Sequence, residues 1–158
     1  MKPRITAAAG LVCAVVILGT FTLFVGGTGH AQTAHTCSAT DRQFIDTAQL
    51  NMAALGSIAE DYLHGDAKAS EVLQTDQDSL RAIEGTGPSD PSLSKTRAIL
   101  AAMFTEYGKA IHADADKQHK NAGRYVYRAY GLANFAHDVL AQARGPLEQR
   151  GCDVSPLL

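Results

Sequence analysis

The sequence predicts an all-α protein: an antiparallel up-and-down four-helix bundle preceded by an N-terminal signal or anchor segment. In four segments, apolar residues recur at gaps of three, four or seven, which is typical of helices that bury one face. No useful stretch alternates with the period of two that marks a half-buried strand. Cys37 precedes the first segment and Cys152 follows the last. An even number of antiparallel helices returns both cysteines to one end of the bundle, so helix count and disulfide support each other.

Residues 1–31 are expected to be a signal peptide or a membrane anchor rather than part of the bundle. Lys2 and Arg4 precede a charge-free run over residues 5–29, as in a secretory leader. Small residues at Gly29 and Ala31 suit cleavage before Gln32. The run also exceeds the ~20 residues that span a bilayer, so an uncleaved anchor stays open. Both alternatives predict export, either secreted or on the extracytoplasmic face of the membrane.

The remaining chain is divided into a linker, one helical domain and a short tail. Residues 32–39 form the linker and contain Cys37, residues 40–152 form the bundle, and residues 153–158 form the tail. Because Cys13 lies in the leader, the exported part holds an even number of cysteines, as expected in an oxidising compartment. A Cys37–Cys152 disulfide is therefore predicted.

The first two helices are predicted from their apolar stripes and their ends. Thr40 and Gln43 fit a capping box at the start of helix one, and Gly65 suits its end. The stripe of helix one comprises Ile45, Ala48, Met52, Leu55, Ala59 and Tyr62. Asp66 is expected to cap helix two directly after Gly65. The weaker stripe of helix two comprises Ala69, Leu73, Leu80 and Ile83, with Asp76 in the slot between them.

Helix three is predicted to begin with Asp90 as cap and Pro91 in the first turn, after the break at residues 85–89. Its stripe comprises Leu93, Leu100, Met103, Tyr107 and Ala110. A turn is expected in residues 114–121, where the apolar pattern lapses. The stripe of helix four comprises Tyr125, Ala129, Leu132, Ala136, Val139 and Ala143. Gly145 and Pro146 are expected to interrupt this last helix.

One candidate metal site lies near the end of helix three. His112, Asp116 and His119 would share a face if the stretch were helical, and imidazole with carboxylate suits zinc or another transition metal. Against this, the segment is where a helix is expected to end, and no Glu-x-x-His pair of the di-iron type occurs. The polar helix end is the favoured interpretation.

One candidate ligand site lies along helix four, where Tyr127, Tyr130, Asn134 and His137 step by three, four and three. A tyrosine and a histidine beside a cavity could bind haem iron or a small polar ligand. Such residues also commonly sit at the boundary of a core, with the polar tip in water. This boundary interpretation is favoured, and no cofactor is predicted.

Charge is distributed unevenly along the chain. Acidic residues outnumber basic ones ten to three over residues 32–90, whereas basic residues outnumber acidic ones nine to six over residues 91–158. The asymmetry indicates either an acidic half docked on a basic half or a positive surface for an anionic partner. The stripe Lys117, Lys120, Arg124 and Arg128 could face phosphate or lipid headgroups. The favoured interpretation is a solvated face, or pairing with acids of helix two, namely Asp76, Asp78 and Glu84. Export and the net acidic charge disfavour nucleic acid as a partner.

The sequence does not identify a reaction. No Gly-x-Ser-x-Gly frame occurs, and no glycine-rich phosphate loop follows a strand. The function predicted first is a non-catalytic interaction or structural module that binds an envelope or extracellular protein. It would contact the membrane only through an uncleaved leader. A small-ligand carrier that binds a metal or haem is the alternative, and an enzyme is third.

Overall fold

A computed structural model describes residues 36–158, and the predicted leader lies outside the described residues. Four α-helices and one short 3₁₀ helix make up this part of the chain. They are α1 (Ala39–His64), α2 (Ala69–Glu84), α3 (Pro91–Ala115), α4 (His119–Gln149) and η1 (Ser155–Leu157). The described residues contain no strand, and the helices pack on one another, so the predicted all-α four-helix bundle is confirmed.

The start of α1 and the connection to α2 differ from the prediction in their capping residues. Ser38, not Thr40, caps α1, because its hydroxyl accepts a hydrogen bond of 3.0 Å from the Asp41 N–H. Gly65 ends α1 as expected, with φ at 84°, which favours glycine. Asp66 does not cap α2. Instead α2 begins after Lys68, whose N–H donates to the Glu71 carboxylate at 2.6 Å.

The start of α3 agrees with the prediction, whereas the end of α4 does not. The Asp90 carboxylate accepts from the N–H groups of Ser92 and Leu93 at 2.8 and 3.1 Å, and Pro91 follows in the first turn. However, α4 continues through Gly145 and Pro146 as far as Gln149. Proline removes one backbone donor near the helix end. The continued helix places Leu147 in the core, where it is fully buried.

The core forms between successive helices. α1 packs on α2, α2 on α3, and α3 most extensively on α4. The largest completely buried side chains are Phe44, Phe104, Ile83, Leu93, Leu140 and Leu147. Phe44 and Val72 are buried although neither belongs to the predicted stripes. Within residues 36–158 no helix has an apolar stretch long enough to cross a membrane.

α1 and α4 are joined at one end rather than packed along their lengths. No Cα of α1 lies within 8 Å of a Cα of α4. The predicted C-terminal tail occupies this region instead: η1 contacts both helices, and Val154 is fully buried. The C-terminal segment mediates the connection.

Candidate functional site

A disulfide between Cys37 and Cys152 joins the two ends of the described residues, as predicted. Their Cα atoms are 5.0 Å apart, and both residues are buried. Hydrogen bonds reinforce the same junction. The Cys37 N–H donates to the Arg150 carbonyl at 2.6 Å, and the Arg42 guanidinium donates to the Cys37 carbonyl at 3.0 Å. We call this end of the bundle the disulfide end.

A buried polar network at the disulfide end holds the loop between α2 and α3. The Asp41 carboxylate accepts from the Ser89 N–H at 2.7 Å, the Ser89 hydroxyl at 2.9 Å and the Asp90 N–H at 3.0 Å. Burial alone would raise the pKa of Asp41, but hydrogen bonds from Asp90, Ser38 and Ser89 outweigh it and lower the pKa below 3.8. The network therefore requires an ionised Asp41.

Asp90 extends this network to the end of α4. Its carboxylate caps α3 and also accepts from the Arg150 guanidinium. Burial opposes ionisation of Asp90, but the hydrogen bond from Arg150 and the two backbone donors prevail and lower its pKa. The carboxylates of Asp41 and Asp90 thus connect α1, α3 and α4 at one point. This arrangement is structural, since every group in it has a partner within the fold.

The three residues of the candidate metal site do not converge. α3 ends at Ala115, and Lys117 adopts a left-handed conformation with φ at 61° before α4 begins at His119. The His119 ring lies 3.1 Å from Asp114 rather than on Asp116. Among residues 36–158, no group of three His, Cys, Asp or Glu side chains is placed to hold a metal ion. The sequence argument assumed one continuous helical face, which this turn interrupts.

The candidate ligand residues on α4 lie on its outer side. Tyr127, Tyr130, Asn134 and His137 are all exposed, and among the large hydrophobic side chains of the described residues Tyr127 is the most exposed, at 78%. They do not enclose a cavity. The expected boundary position, with the body of the ring buried, therefore does not describe Tyr127, whose ring is itself in solvent.

A second set of residues on α4 combines exposed rings with cations. We call Arg124, Tyr127, Arg128, Gly131 and Phe135 the α4 stripe, because their spacing places them on one side of the helix. Lys95 of α3 lies 5.0 Å from the centre of the Phe135 ring. Arg124 and Arg128 lie 5.4 and 5.9 Å from the centre of the neighbouring Tyr125 ring. The negative face of each ring attracts the cation that lies over it, so rings and cations form one exposed surface.

The α4 stripe borders a shallow open groove between α3 and α4. Seven residues line this groove: Ala102, Thr105, Glu106, Arg128, Gly131, Leu132 and Phe135. Glu106 is neutralised from two sides, by Lys109 at 2.5 Å and Arg128 at 3.5 Å. The hydrogen bond from Lys109 is the main reason that the pKa of Glu106 is lowered. A Cβ at Gly131 would meet nothing within 4 Å, so this glycine leaves the middle of the groove open.

The acidic and basic halves of the sequence are hardly paired with each other. Among the described residues, the one side-chain ion pair between residues 36–90 and 91–158 joins Asp90 to Arg150. The alternative in which acids of α2 pair with Lys117, Lys120, Arg124 and Arg128 is wrong. Among the described residues no ion pair joins these cations to α2, and no Cα of α2 lies within 8 Å of a Cα of α4. Arg128 of α4 pairs instead with Glu106 of α3, and Arg144 pairs with Glu148 of its own helix.

Asp76, in the slot of the predicted helix-two stripe, is a buried carboxyl group. It lies in α2 with 3% of its surface exposed, and its Oδ1 has no hydrogen-bond partner. Burial raises its pKa to about 7. Opposite it stands Gly108 of α3, where a Cβ would come within 2.6 Å of Asp76 Oδ2. The sequence placed this acidic residue among the apolar residues of helix two. It did not show that the carboxyl group would be buried without a hydrogen-bond partner for Oδ1.

Comparison with known proteins leaves the family open. No protein-family model, curated protein or solved structure matches the chain.

Proposed function

We propose that the chain is an exported, non-catalytic interaction module that binds a protein partner through the α4 stripe. The observation that supports this proposal is the solvent-exposed combination of aromatic rings and cations beside an open groove. Tyr127 is 78% exposed and Phe135 48% exposed, and large exposed rings next to arginine are the residue types enriched at binding hot spots.

The partner that suits this surface is a protein segment with an apolar face and acidic residues at its rim. The groove runs between two antiparallel helices, a shape that receives the apolar side of an amphipathic helix. Lys95, Arg124 and Arg128 would meet the acidic rim. Because Gly131 carries no side chain, a partner can approach the backbone of α4 closely at this point.

Export is the compartment that we propose, and it rests on the leader pattern and the disulfide. Lys2 and Arg4, followed by a charge-free apolar run, support a leader, and disulfides persist mainly in oxidising compartments. Intact mass and the N-terminal residue of the mature protein test this directly. A chain that begins at Gln32 is the expected result. A full-length chain found only in membranes would mean an anchor, and a full-length chain in the cytoplasm would refute export.

Site-specific photo-crosslinking tests the binding surface. A photoreactive amino acid at position 127, in the protein expressed and exported by its own host, should yield an adduct with one protein. The matched control places the same group at Leu50, which is 71% exposed but lies on α1. Adducts at both positions, or at neither, would count against the α4 stripe as the binding surface.

Serine substitutions at the same two positions then measure affinity for the captured protein. Tyr127→Ser should weaken binding at least tenfold, whereas Leu50→Ser should leave it unchanged. Neither side chain is in the core, so melting temperatures should stay close to that of the original protein. If the captured protein is a second copy of this chain, light scattering will report a concentration-dependent dimer, and self-association will replace the proposed partner.

A further inference from the structure

A second feature of the molecule, independent of the α4 stripe, is the isolated carboxyl group of Asp76. Buried carboxylates are normally paired or supplied with several donors, because an unpaired buried charge is costly. Asp41 and Asp90 follow this rule, with three and two backbone or hydroxyl donors and, for Asp90, Arg150. Asp76 does not, since its Oδ1 is buried without a partner.

Close contact with α3 is what encloses this carboxyl group. Asp76 Oδ2 lies where a side chain at Gly108 would begin, 2.6 Å from the position of its Cβ. Gly108 itself is buried. A glycine in the middle of a helix is destabilising relative to alanine, and at this position it makes room for Asp76. The α2–α3 contact is therefore built around the carboxyl group.

No cation of the described residues compensates Asp76. α2 packs on α1 and α3, and neither supplies a lysine, arginine or histidine within ion-pair distance. The titratable groups on this side are Tyr107 of α3 and, beyond it, Tyr62 of α1. Tyr62 donates to Asp114 of α3 at 2.7 Å. Burial, then the charge of Asp76, then Tyr62 raise the pKa of Tyr107 to about 12, so this phenol stays neutral beside Asp76.

We propose that Asp76 is a pH-dependent latch between α2 and α3, closed when its carboxyl group is neutral and weakened when that group is ionised. The neutral carboxyl group costs much less to bury in the α2–α3 contact than the ionised carboxylate. Ionised, it carries a buried charge without a partner, and the contact is relieved by moving α2 away from Gly108 so that water reaches the carboxylate. The latch acts on the two helices and not on the disulfide end, where Asp41 and Asp90 are ionised and satisfied.

The direction of the pH effect follows from the pKa of Asp76, which lies near 7 in the folded protein against an ordinary value of 3.8. Below pH 4, Asp76 is protonated whether the chain is folded or not, and folding carries no cost from it. Between pH 4 and 7 only the unfolded chain releases the proton, so the folded state loses relative stability. Above pH 7 the loss is complete and amounts to roughly a thousandfold in the folding equilibrium constant.

Two measurements on the oxidised exported domain test the latch. The first is thermal unfolding of the original protein and of Asp76→Asn between pH 5 and 8. We expect the original protein to melt at lower temperature as the pH rises and Asp76→Asn to lose most of this slope. Asp78→Asn is the matched control, because Asp78 is an exposed residue of the same helix that pairs with Arg81 at 2.8 Å. Histidines also titrate between pH 5 and 8, and both variants retain all of them. Asp78→Asn should therefore show the same pH slope in melting temperature as the original protein.

The second measurement needs no substitution. Carbon-13 NMR of the side-chain carboxyl groups should show Asp76 titrating near pH 7, with faster hydrogen exchange of α2 amides above that pH. A midpoint near 4 would overturn the proposal, as would equal pH slopes in the original protein and Asp76→Asn. If Asp76→Asn does not fold, the carboxyl titration and the exchange rates decide between these outcomes.

Discussion

Removal of the Cys37–Cys152 disulfide should lower stability strongly while leaving the native helices in place at low temperature. The bridge joins residues separated by 115 positions, so it restricts the unfolded chain over nearly the whole domain. In the folded protein, the same junction is also held by the Cys37–Arg150 backbone hydrogen bond and by the contact of Asp90 with Arg150. The native arrangement therefore does not depend on the covalent bond alone.

The expected magnitude follows from the length of the closed loop. For a loop of this size, the chain-entropy model gives a stabilisation of about 5 kcal/mol. A domain of roughly 120 residues has an unfolding entropy near 250 cal/mol/K at its midpoint, so this loss corresponds to about 20 °C in melting temperature. Small domains have unfolding free energies of about 5–15 kcal/mol. The reduced protein should therefore still fold at low temperature, with a smaller margin.

Circular dichroism at 222 nm, recorded during heating, measures this effect. The Cys37→Ala/Cys152→Ala double variant is compared with the oxidised protein, and the reduced and alkylated protein serves as a second comparison. A difference of only a few degrees would refute the reasoning, because the unfolded chain would then not be restrained by the bridge. Two freely titrating thiols in the oxidised protein would remove the bridge itself.

Two further substitutions test the buried polar contacts. Asp41→Ala leaves the Ser89 and Asp90 N–H groups without their acceptor and should cost about 2–3 kcal/mol in urea denaturation, and an unchanged midpoint would show that water replaces the carboxylate. Gly108→Ala would usually stabilise a helix by up to about 1 kcal/mol, but here it should destabilise because its Cβ meets Asp76 Oδ2. In the Asp76→Ala background the same substitution should stabilise, and a destabilising effect in both backgrounds would contradict the close contact.

The number of helices and the disulfide could be predicted because both depend on local patterns and one topological rule. The caps at Asp90 and Gly65 follow from residues next to the helix ends, where local geometry decides. Ser38 was missed because Ser38 and Thr40 both offer a hydroxyl near the same turn. The Ser38 hydroxyl lies 3.0 Å from that of Thr40 and 2.9 Å from that of Ser89. Because Ser38 and Ser89 are 51 positions apart in the sequence, no local sequence pattern could predict this contact.

Features that depend on the relative placement of helices could not be predicted. Pro146 was expected to interrupt α4, but burial of the next residue, Leu147, outweighs the lost backbone donor. Val154 is buried and η1 contacts both α1 and α4. The sequence analysis had assigned these residues to a C-terminal tail outside the bundle. The polar residues His112, Asp116 and His119 looked like a site because their sequence spacing was helical, whereas the turn at Lys117 directs them apart.

The aspartates of this domain should give its stability a maximum in weakly acidic solution. The pKa values of Asp41 and Asp90 are lowered, so their contribution is present above pH 3.8 and is lost as the pH falls through their folded values. The contribution of Asp76 depends on pH in the opposite direction. Because its pKa is raised, the folded protein loses stability as the pH rises from about 4 to 7. The two effects together should place the highest free energy of unfolding near pH 4–5. In this range Asp41 and Asp90 are ionised and Asp76 is still protonated in the folded protein. Urea denaturation from pH 2 to 8 should therefore show a peak in unfolding free energy in that range. Asp76→Asn should turn the peak into a plateau that extends to neutral pH, whereas a peak that persists in this variant would assign the alkaline decline to other groups.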